Sequence, residues 1–280
     1  MVENNSEQKR MSNEERMELI KENMENIKFK IAIISGKGGV GKSTVAVNLA
    51  MKLASTGSTV GVLDIDITGP NVAKMLGMSP ELKPQVDPEK MRFYPIPGPL
   101  NIKVMSMAFL IDDADNPVIW RGPMKMSATR QFLGDAEWGS LEYLVIDLPP
   151  GTGDETLDIL QLIPDVHILI VTTPQEVALL DSRKTLKMSL LMDKDVLGII
   201  ENMSGYICPE CGHKVDLFGK GGGEKASIDF HVPLLGQIPI DPNIRETGDA
   251  GLPFIIKNPD SPAGKAFSEA VKKIREILEK

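Results

Sequence analysis

Hydrophobic and polar positions along the 280-residue chain fall into two regimes. The first 27 residues are mostly polar and charged. Their apolar members Met17, Ile20, Met24 and Ile27 recur at three- and four-residue spacing, which predicts an amphipathic helix. Ser12 and Glu15 form a capping-box signature ahead of it, so residues 1–27 read as a polar tail and a helix lying on the body. From residue 28 short apolar runs alternate with helix-period segments. "FKIAIIS", "STVGVLDID", "IKVMSM", "YLVIDLP", "VHILIVTTP", "VLGIIEN" and "PLLGQIP" are mostly apolar throughout rather than at every second position. That is the pattern of strands covered on both faces, as in a parallel sheet. Helical segments such as "KSTVAVNLAMKLAST" and "PQEVALLDSRKTLKMSLLM" lie between them. The alternation predicts one α/β domain over 28–280, doubly wound, with a mostly parallel sheet flanked by helices.

Two stretches break the alternation. Six prolines between Pro80 and Pro99 predict an irregular excursion with a short edge strand. Residues 204–230 are rich in glycine, carry both cysteines of the chain, and read as an insertion at a strand end. The C-terminal "GKAFSEAVKKIREILEK" places Phe267, Val271, Ile274 and Leu278 on one side. This predicts a closing helix packed on the sheet, although a membrane-surface helix has the same pattern.

Charge and composition narrow the function classes. A net charge of −8 and 5% aromatic residues argue against nucleic acid as a partner. No apolar run is long enough to span a membrane, and the N-terminus lacks a signal-peptide core. A cytoplasmic protein with reduced thiols is the expectation.

The strongest chemical signal is "SGKGGVGKST". Gly36, four residues, then Gly41-Lys42-Ser43 is a Walker A loop standing between an apolar strand and a helix, where a phosphate cradle belongs. Gly36, Lys37, Gly38, Gly39, Val40, Gly41, Lys42, Ser43 and Thr44 form the candidate nucleotide-binding loop. Glycines let backbone amides approach phosphate oxygens, Lys42 reaches the β- and γ-phosphates, and Ser43 offers a hydroxyl to Mg²⁺. Asp64 and Asp66 end one strand and lie on one face of it; Asp147 ends another, as a Walker B acid does. Asp147 would hold Mg²⁺ through water, with Asp64 supporting that shell.

Lys37 is a second lysine inside the loop, and "GKGGVGKST" resembles the deviant Walker A of the MinD/ParA/nitrogenase-iron-protein class of P-loop ATPases. The resemblance implies that Lys37 reaches the nucleotide of a partner subunit, so that ATP closes a homodimer. It also implies that Asp66 orients the attacking water and that Asn202, in "VLGIIENMSG", contacts adenine. Asp241, in "QIPIDPNIRE", is a further nucleotide candidate. The class, with the absence of an Asn-Lys-x-Asp signature, favours ATP over GTP.

Cys208 and Cys211 stand two residues apart in "ENMSGYICPECG". A redox dithiol, a zinc site with His213 as third ligand, and incidental thiols are each compatible with the spacing. A further reading uses symmetry: a two-fold dimer brings four thiolates to one axis, the number an iron–sulfur cluster commonly takes. The Walker loop, "LDIDITGPN", "RGPM" at 121–124, "VIDLPPGTGD", "ENMSGYICPECG" and "FGKGGG" occur together in this order. Together they make the chain resemble the Mrp/ApbC family of iron–sulfur cluster carriers over about residues 28–280. The resemblance implies ATP and Mg²⁺ as cofactors and a homodimer holding a [4Fe–4S] cluster between Cys208 and Cys211 of two subunits. It further implies apo iron–sulfur proteins as acceptors. The chain begins without the cysteine-rich extension of some relatives and without the small N-terminal domain of others, so a single cluster is expected. A MinD/ParA-like positioning ATPase and a P-loop ATPase with structural zinc are the rival readings.

Overall fold

Strand β1 (Ile27–Ile34) occupies the middle of the sheet, and the chain winds away from it in both directions. The computed structural model describes residues 12–67, 69–79, 81–110, 122–208 and 210–280; the leading tail, Trp120 and Arg121 of the RGPM motif lie outside the described residues. The remaining strands are β2 (Val60–Asp64), β3 (Gln85–Asp87), β4 (Arg92–Tyr94), β5 (Ile96–Pro97), β6 (Lys103–Ser106), β7 (Leu141–Asp147), β8 (Val166–Thr172), β9 (Val196–Ile207), β10 (Lys214–Val215) and β11 (Leu234–Ile240). Between and around them run α1 (Asn13–Glu25), α2 (Lys42–Ser55), α3 (Val72–Met75), α4 (Gly122–Gly134), α5 (Asp154–Leu162), α6 (Glu176–Leu191), α7 (Gly222–Phe230), α8 (Pro242–Asp249), α9 (Phe254–Lys257) and α10 (Pro262–Leu278).

The parallel strands lie in the order β6-β2-β7-β1-β8-β9-β11, with β5 and β10 added antiparallel at the margins. Alternation along each strand divides the core in two. Ile31, Ile33, Tyr143, Val145, Leu169 and Val171 face the side covered by α2, α9 and α10. Ala32, Ile34, Leu144, Ile146, Ile168 and Ile170 face the side covered by α1, α4 and α5. Both faces are dry, which is why these strands read as unbroken apolar runs. The chain reverses direction at β1, and in open α/β sheets the crevice beyond the strand ends at such a switch point is where ligands bind.

Register sets the polar end of the sheet. Ser106 pairs with Asp64, and Asp64 with Asp147, so one row crosses β6, β2 and β7. Two carboxylates therefore stand side by side on adjacent strands. The C-terminal helix buries Phe267, Val271 and Ile274, with Leu278 packed against the same core; side chains of this size each stabilise by about 1.5–3 kcal/mol when fully buried. Its apolar face is thus occupied by the sheet. Its last turn is tied down as well: Arg275 Nε donates to Glu279 Oε1 at 2.8 Å, and the Tyr143 hydroxyl donates to the same oxygen. No helix among the described residues is long and apolar enough to cross a membrane.

Three expectations change in detail. Within the proline-rich stretch, residues 85–94 make a separate β3–β4 hairpin and Ile96–Pro97 the edge strand β5. The glycine-rich stretch is less an insertion than a continuation: residues 204–207 extend β9, 214–215 return as β10, and 222–230 form α7. On α1 the capping box forms, with Ser12 and Glu15 bonded reciprocally at 2.7 and 3.1 Å. However, Met17 is 44% exposed and Ile27 belongs to β1. The inward face of α1 is Ile20, Met24 and the polar Asn23, whose amide satisfies a helix end that an apolar residue could not. Asn23 Nδ2 lies 2.8 Å from Leu133 O and 2.9 Å from both Gly134 O and Ala136 O, the carbonyls left over where α4 stops. Arg16 adds a two-pronged bond to Asp135, each at 3.1 Å. Trp138, fully buried, donates to Phe132 O at 3.0 Å and closes the same corner.

Replacing Asn23 by Ala removes one donor from each of these carbonyls, although Gly134 O keeps Arg92 Nη1 at 2.8 Å and Ala136 O keeps Trp138 N at 3.0 Å. It is expected to destabilise the fold by about 2 kcal/mol, read as a lowered urea midpoint at unchanged slope.

Candidate nucleotide site and cysteine hairpin

The loop after β1 turns through two left-handed glycines, Gly39 at φ +81° and Gly41 at φ +85°, the latter starting α2. Any Cβ at Gly41 would stand 2.1 Å from Asn202 Nδ2. The first glycine of the motif has a different job: a Cβ at Gly36 would lie 2.2 Å from the carbonyl carbon of Asp181, so Gly36 lets α6 press its backbone against the loop. Gly38, Gly39, Gly41, Lys42, Ser43 and Thr44 line a cavity of about 840 Å³. Gly36, Lys37 and Val40 are not part of its wall; Val40 is buried and Lys37 is half-buried beside the rim.

Lys42 is 6% exposed and points its ammonium at the carboxylate row, with Nζ 2.7 Å from Asp147 Oδ1 and 3.8 Å from Asp66 Oδ2. Asp64 accepts from Ser106 Oγ at 2.8 Å, Asp66 N at 3.2 Å and Val72 N at 3.3 Å. Complete burial, then the neighbouring charge of Asp147, holds the Asp64 carboxyl well above the usual carboxylate range. Burial likewise raises Asp147, opposed by Lys42 and by hydrogen bonding from Lys42 and Ser43. Asp147 Oδ2 is buried without a hydrogen-bond partner. A buried carboxylate oxygen with nothing to accept from is what a cation shell at this point would satisfy. The residues present therefore fit Mg²⁺ held by Ser43 and Asp147 with Asp64 behind.

On the far side of the loop Asn202 is buried, lines the cavity, and donates from Nδ2 to Val40 O at 2.9 Å. It braces the loop after β1 while forming part of the cavity wall. Asp241 lines the same cavity while capping α8 through Asn243 N at 2.9 Å. The wall also contains Leu217 and Phe218, 58% and 37% exposed, from the segment that follows the cysteines. Sequence reasoning missed them; their one signal was an apolar pair in a glycine-rich polar stretch.

Cys208 and Cys211 sit at the tip of the β9–β10 hairpin, the first half-buried and the second exposed. Cys208 N donates to His213 O at 3.0 Å, and Gly212 N donates to Cys208 O at 2.9 Å. The backbone N–H of Cys211, then that of Glu210, and finally the neighbouring thiol lower the Cys208 thiol below its ordinary value. Backbone amides aimed at a sulfur stabilise the thiolate, the form that binds metal. Among the described residues no group of three or more His, Cys, Asp or Glu side chains gathers to hold a metal, so His213 does not complete a ligand set with the pair.

A family model described as NUBPL iron-transfer P-loop NTPase, of the ParA class, matches residues 26–275. The iron-sulfur cluster carrier protein of Methanocaldococcus jannaschii is 51% identical over 261 residues, 93% of this chain and 88% of that one. Its namesake in a Synechocystis strain is 52% identical over 250 residues, 89% of this chain and 70% of that one. Among solved structures, a nucleotide-binding protein in complex with ADP from Archaeoglobus fulgidus superposes with a TM-score of 0.74 at 38% identity, covering 84% of this chain and 91% of that one. The cell division ATPase MinD of Pyrococcus furiosus, at 24% identity and a TM-score of 0.62 over 89% of this chain and 99% of that one, shares the fold.

A carboxyl raised by burial binds a proton more tightly in the folded state than in the unfolded one, so its contribution falls as the pH rises from the unfolded value of 3.8 through the folded one. Asp64→Asn removes that contribution. In metal-free buffer the variant is therefore expected to gain stability relative to the parent as the pH goes from the carboxylate range to neutrality, whatever fixed cost its altered hydrogen bonds carry. Thermal midpoints of both proteins across that range check the sign.

Proposed function

The chain belongs to the NUBPL iron-transfer P-loop NTPase family, and from that premise we propose that it is an ATP-hydrolysing carrier of iron–sulfur clusters. In this reading two copies hold a [4Fe–4S] cluster as cargo between their Cys208–Cys211 pairs and pass it to apo-proteins. The observation that carries the reading is the hairpin itself. Two thiols stand at an accessible tip, with no third ligand gathered from the described residues of their own chain. A cluster that takes four thiolates can be completed by a second copy across a two-fold axis. The carrier names of the curated relatives support the cargo, and the ADP of the Archaeoglobus fulgidus structure supports an adenine nucleotide.

The nucleotide chemistry follows from the residues at the strand ends. Backbone amides of the loop, the start of α2 and Lys42 hold the phosphates. To reach them Lys42 exchanges its bond to Asp147 for the phosphate oxygens, and Asp147 would then hold Mg²⁺ together with Ser43. Mg²⁺ supplies charge neutralisation of the β- and γ-phosphates when bound. Asp66, within 4 Å of Lys42 and at the cavity wall, orients the water that attacks the γ-phosphorus. The bond to the β–γ bridging oxygen breaks and ADP and phosphate leave. Lys37, outside its own cavity wall, serves the nucleotide of the second copy. Exposed Ile207, Val215, Leu217 and Phe218 around the hairpin give that copy or an acceptor an apolar surface to cover. The rival positioning-ATPase reading has less support, because α10 spends its apolar face on the sheet.

Anaerobic incubation with ferrous iron and sulfide is expected to produce a brown dimer with visible sulfur-to-iron charge-transfer absorption. Cys208→Ser should lose the colour and keep nucleotide binding. Lys42→Gln, which still offers Asp147 an N–H, should keep the colour and lose at least about tenfold in ATP affinity, about 1.4 kcal/mol. A colourless monomer after reconstitution overturns the reading.

A further inference from the structure

Glu201 takes no part in the nucleotide chemistry or the thiol pair, yet it is fully buried and directly precedes Asn202 on β9. Its carboxylate gathers three donors from three elements. Ser204 Oγ donates to Oε1 at 2.6 Å, Gln237 Nε2 of β11 to the same oxygen at 2.9 Å, and the backbone N–H of Gly223, in the first turn of α7, to Oε2 at 2.6 Å. A Cβ at Gly223 would stand 2.9 Å from Glu201 Cβ, which accounts for a glycine there. The amide of this glycine-rich turn therefore closes on the protein's own carboxylate rather than on a phosphate.

The segment between β10 and α7 is thus held at both ends. At one end Lys214 and Val215 pair with Ile207 and Tyr206; at the other Gly223 is bound to Glu201. Between them Leu217 and Phe218 form part of the nucleotide cavity wall, and the cysteines lie just beyond β10. Neighbouring residues on a strand point to opposite faces. Asn202 accordingly reaches the phosphate loop at Val40 O, while Glu201 grips the root of the cysteine hairpin.

We propose that Glu201 is a positioning residue that transmits nucleotide occupancy to the cysteine hairpin. A nucleotide that presses on Leu217 and Phe218 moves a segment whose far end is fastened to Glu201. Any drift of α7 would break a buried bond, so the displacement passes to Ser204 and the β9–β10 hairpin instead. The proposal rests on the carrier reading only for what the hairpin holds; the coupling is measurable with no cargo. Glu201→Gln is the informative change. A carboxylate accepts on both oxygens, whereas an amide keeps one acceptor: either Gly223 N–H loses its partner, or Ser204 and Gln237 must turn their hydroxyl and amide round to accept.

The test is amide hydrogen exchange over residues 204–216 in the full chain, with and without Mg-ADP. In the parent, Mg-ADP is expected to change exchange of the hairpin amides by about fivefold or more. In Glu201→Gln, Mg-ADP should bind within about threefold of the parent while the exchange ratio shrinks to less than about twofold. A purely structural Glu201 would alter exchange equally with and without nucleotide and leave the ratio intact; that result overturns the proposal, as does a parent hairpin indifferent to Mg-ADP. Should Glu201→Gln not fold, Ser204→Ala deletes one of the three bonds. A partly reduced ratio then supports the assignment and an unchanged one defeats it. Failure to take up iron and sulfide, with the exchange ratio as expected, would remove the carrier reading and leave the coupling standing.

Discussion

Two fully buried carboxylates stand side by side on adjacent parallel strands, an arrangement that costs stability unless something answers their charge. Parallel register lines Asp64 up beside Asp147, and burial denies them the water that would screen their repulsion. Lys42 answers only one of them closely, and one oxygen of Asp147 has no partner at all. The surrounding fold is arranged so that this site cannot relax. The strands are locked on both faces by dry cores, the loop is pinned by Gly36 against α6, and Asn202 holds the loop from the far side. On the proposed function, a divalent cation is the group that would relieve this row. The site trades stability for ligand chemistry, a common bargain in enzymes.

Much of this is legible in the sequence. Unbroken apolar runs meant two covered faces, and the strand–loop–helix context of the Walker motif located the cavity. The capping box at Ser12 and the apolar side of α10 read correctly because both are local patterns, settled within a few residues of sequence. Met17 and Ile27 were misread because periodicity cannot see that the third inward position of α1 is a polar one. Asn23 faces inward to answer the carbonyls at the end of α4, a need created by residues more than a hundred positions away.

The site was less legible than the motif. A consensus glycine looks like a phosphate contact, but whether it serves the ligand or a neighbouring helix depends on tertiary packing, and Gly36 serves α6. Leu217 and Phe218 carry no chemical signature, and only the return of the chain after the hairpin puts them on the cavity wall. The strand β9 likewise looked finished at Asn202. Its continuation through residue 207 depends on pairing with β11 and β10, which no single segment encodes.

That continuation is kinked rather than straight. Met203 and Gly205 take left-handed backbone, at φ +58° and +77°, and β9 advances from Asn202 to Tyr206 while its partner β11 advances only from Ile238 to Ile240. A bulge of this kind re-aims the strand, and a side chain at Gly205 would both strain its backbone and stand 2.8 Å from Lys214 Cε, across the base of the hairpin. The direction in which the thiols are presented is therefore set by a kink, not by a count of strand residues.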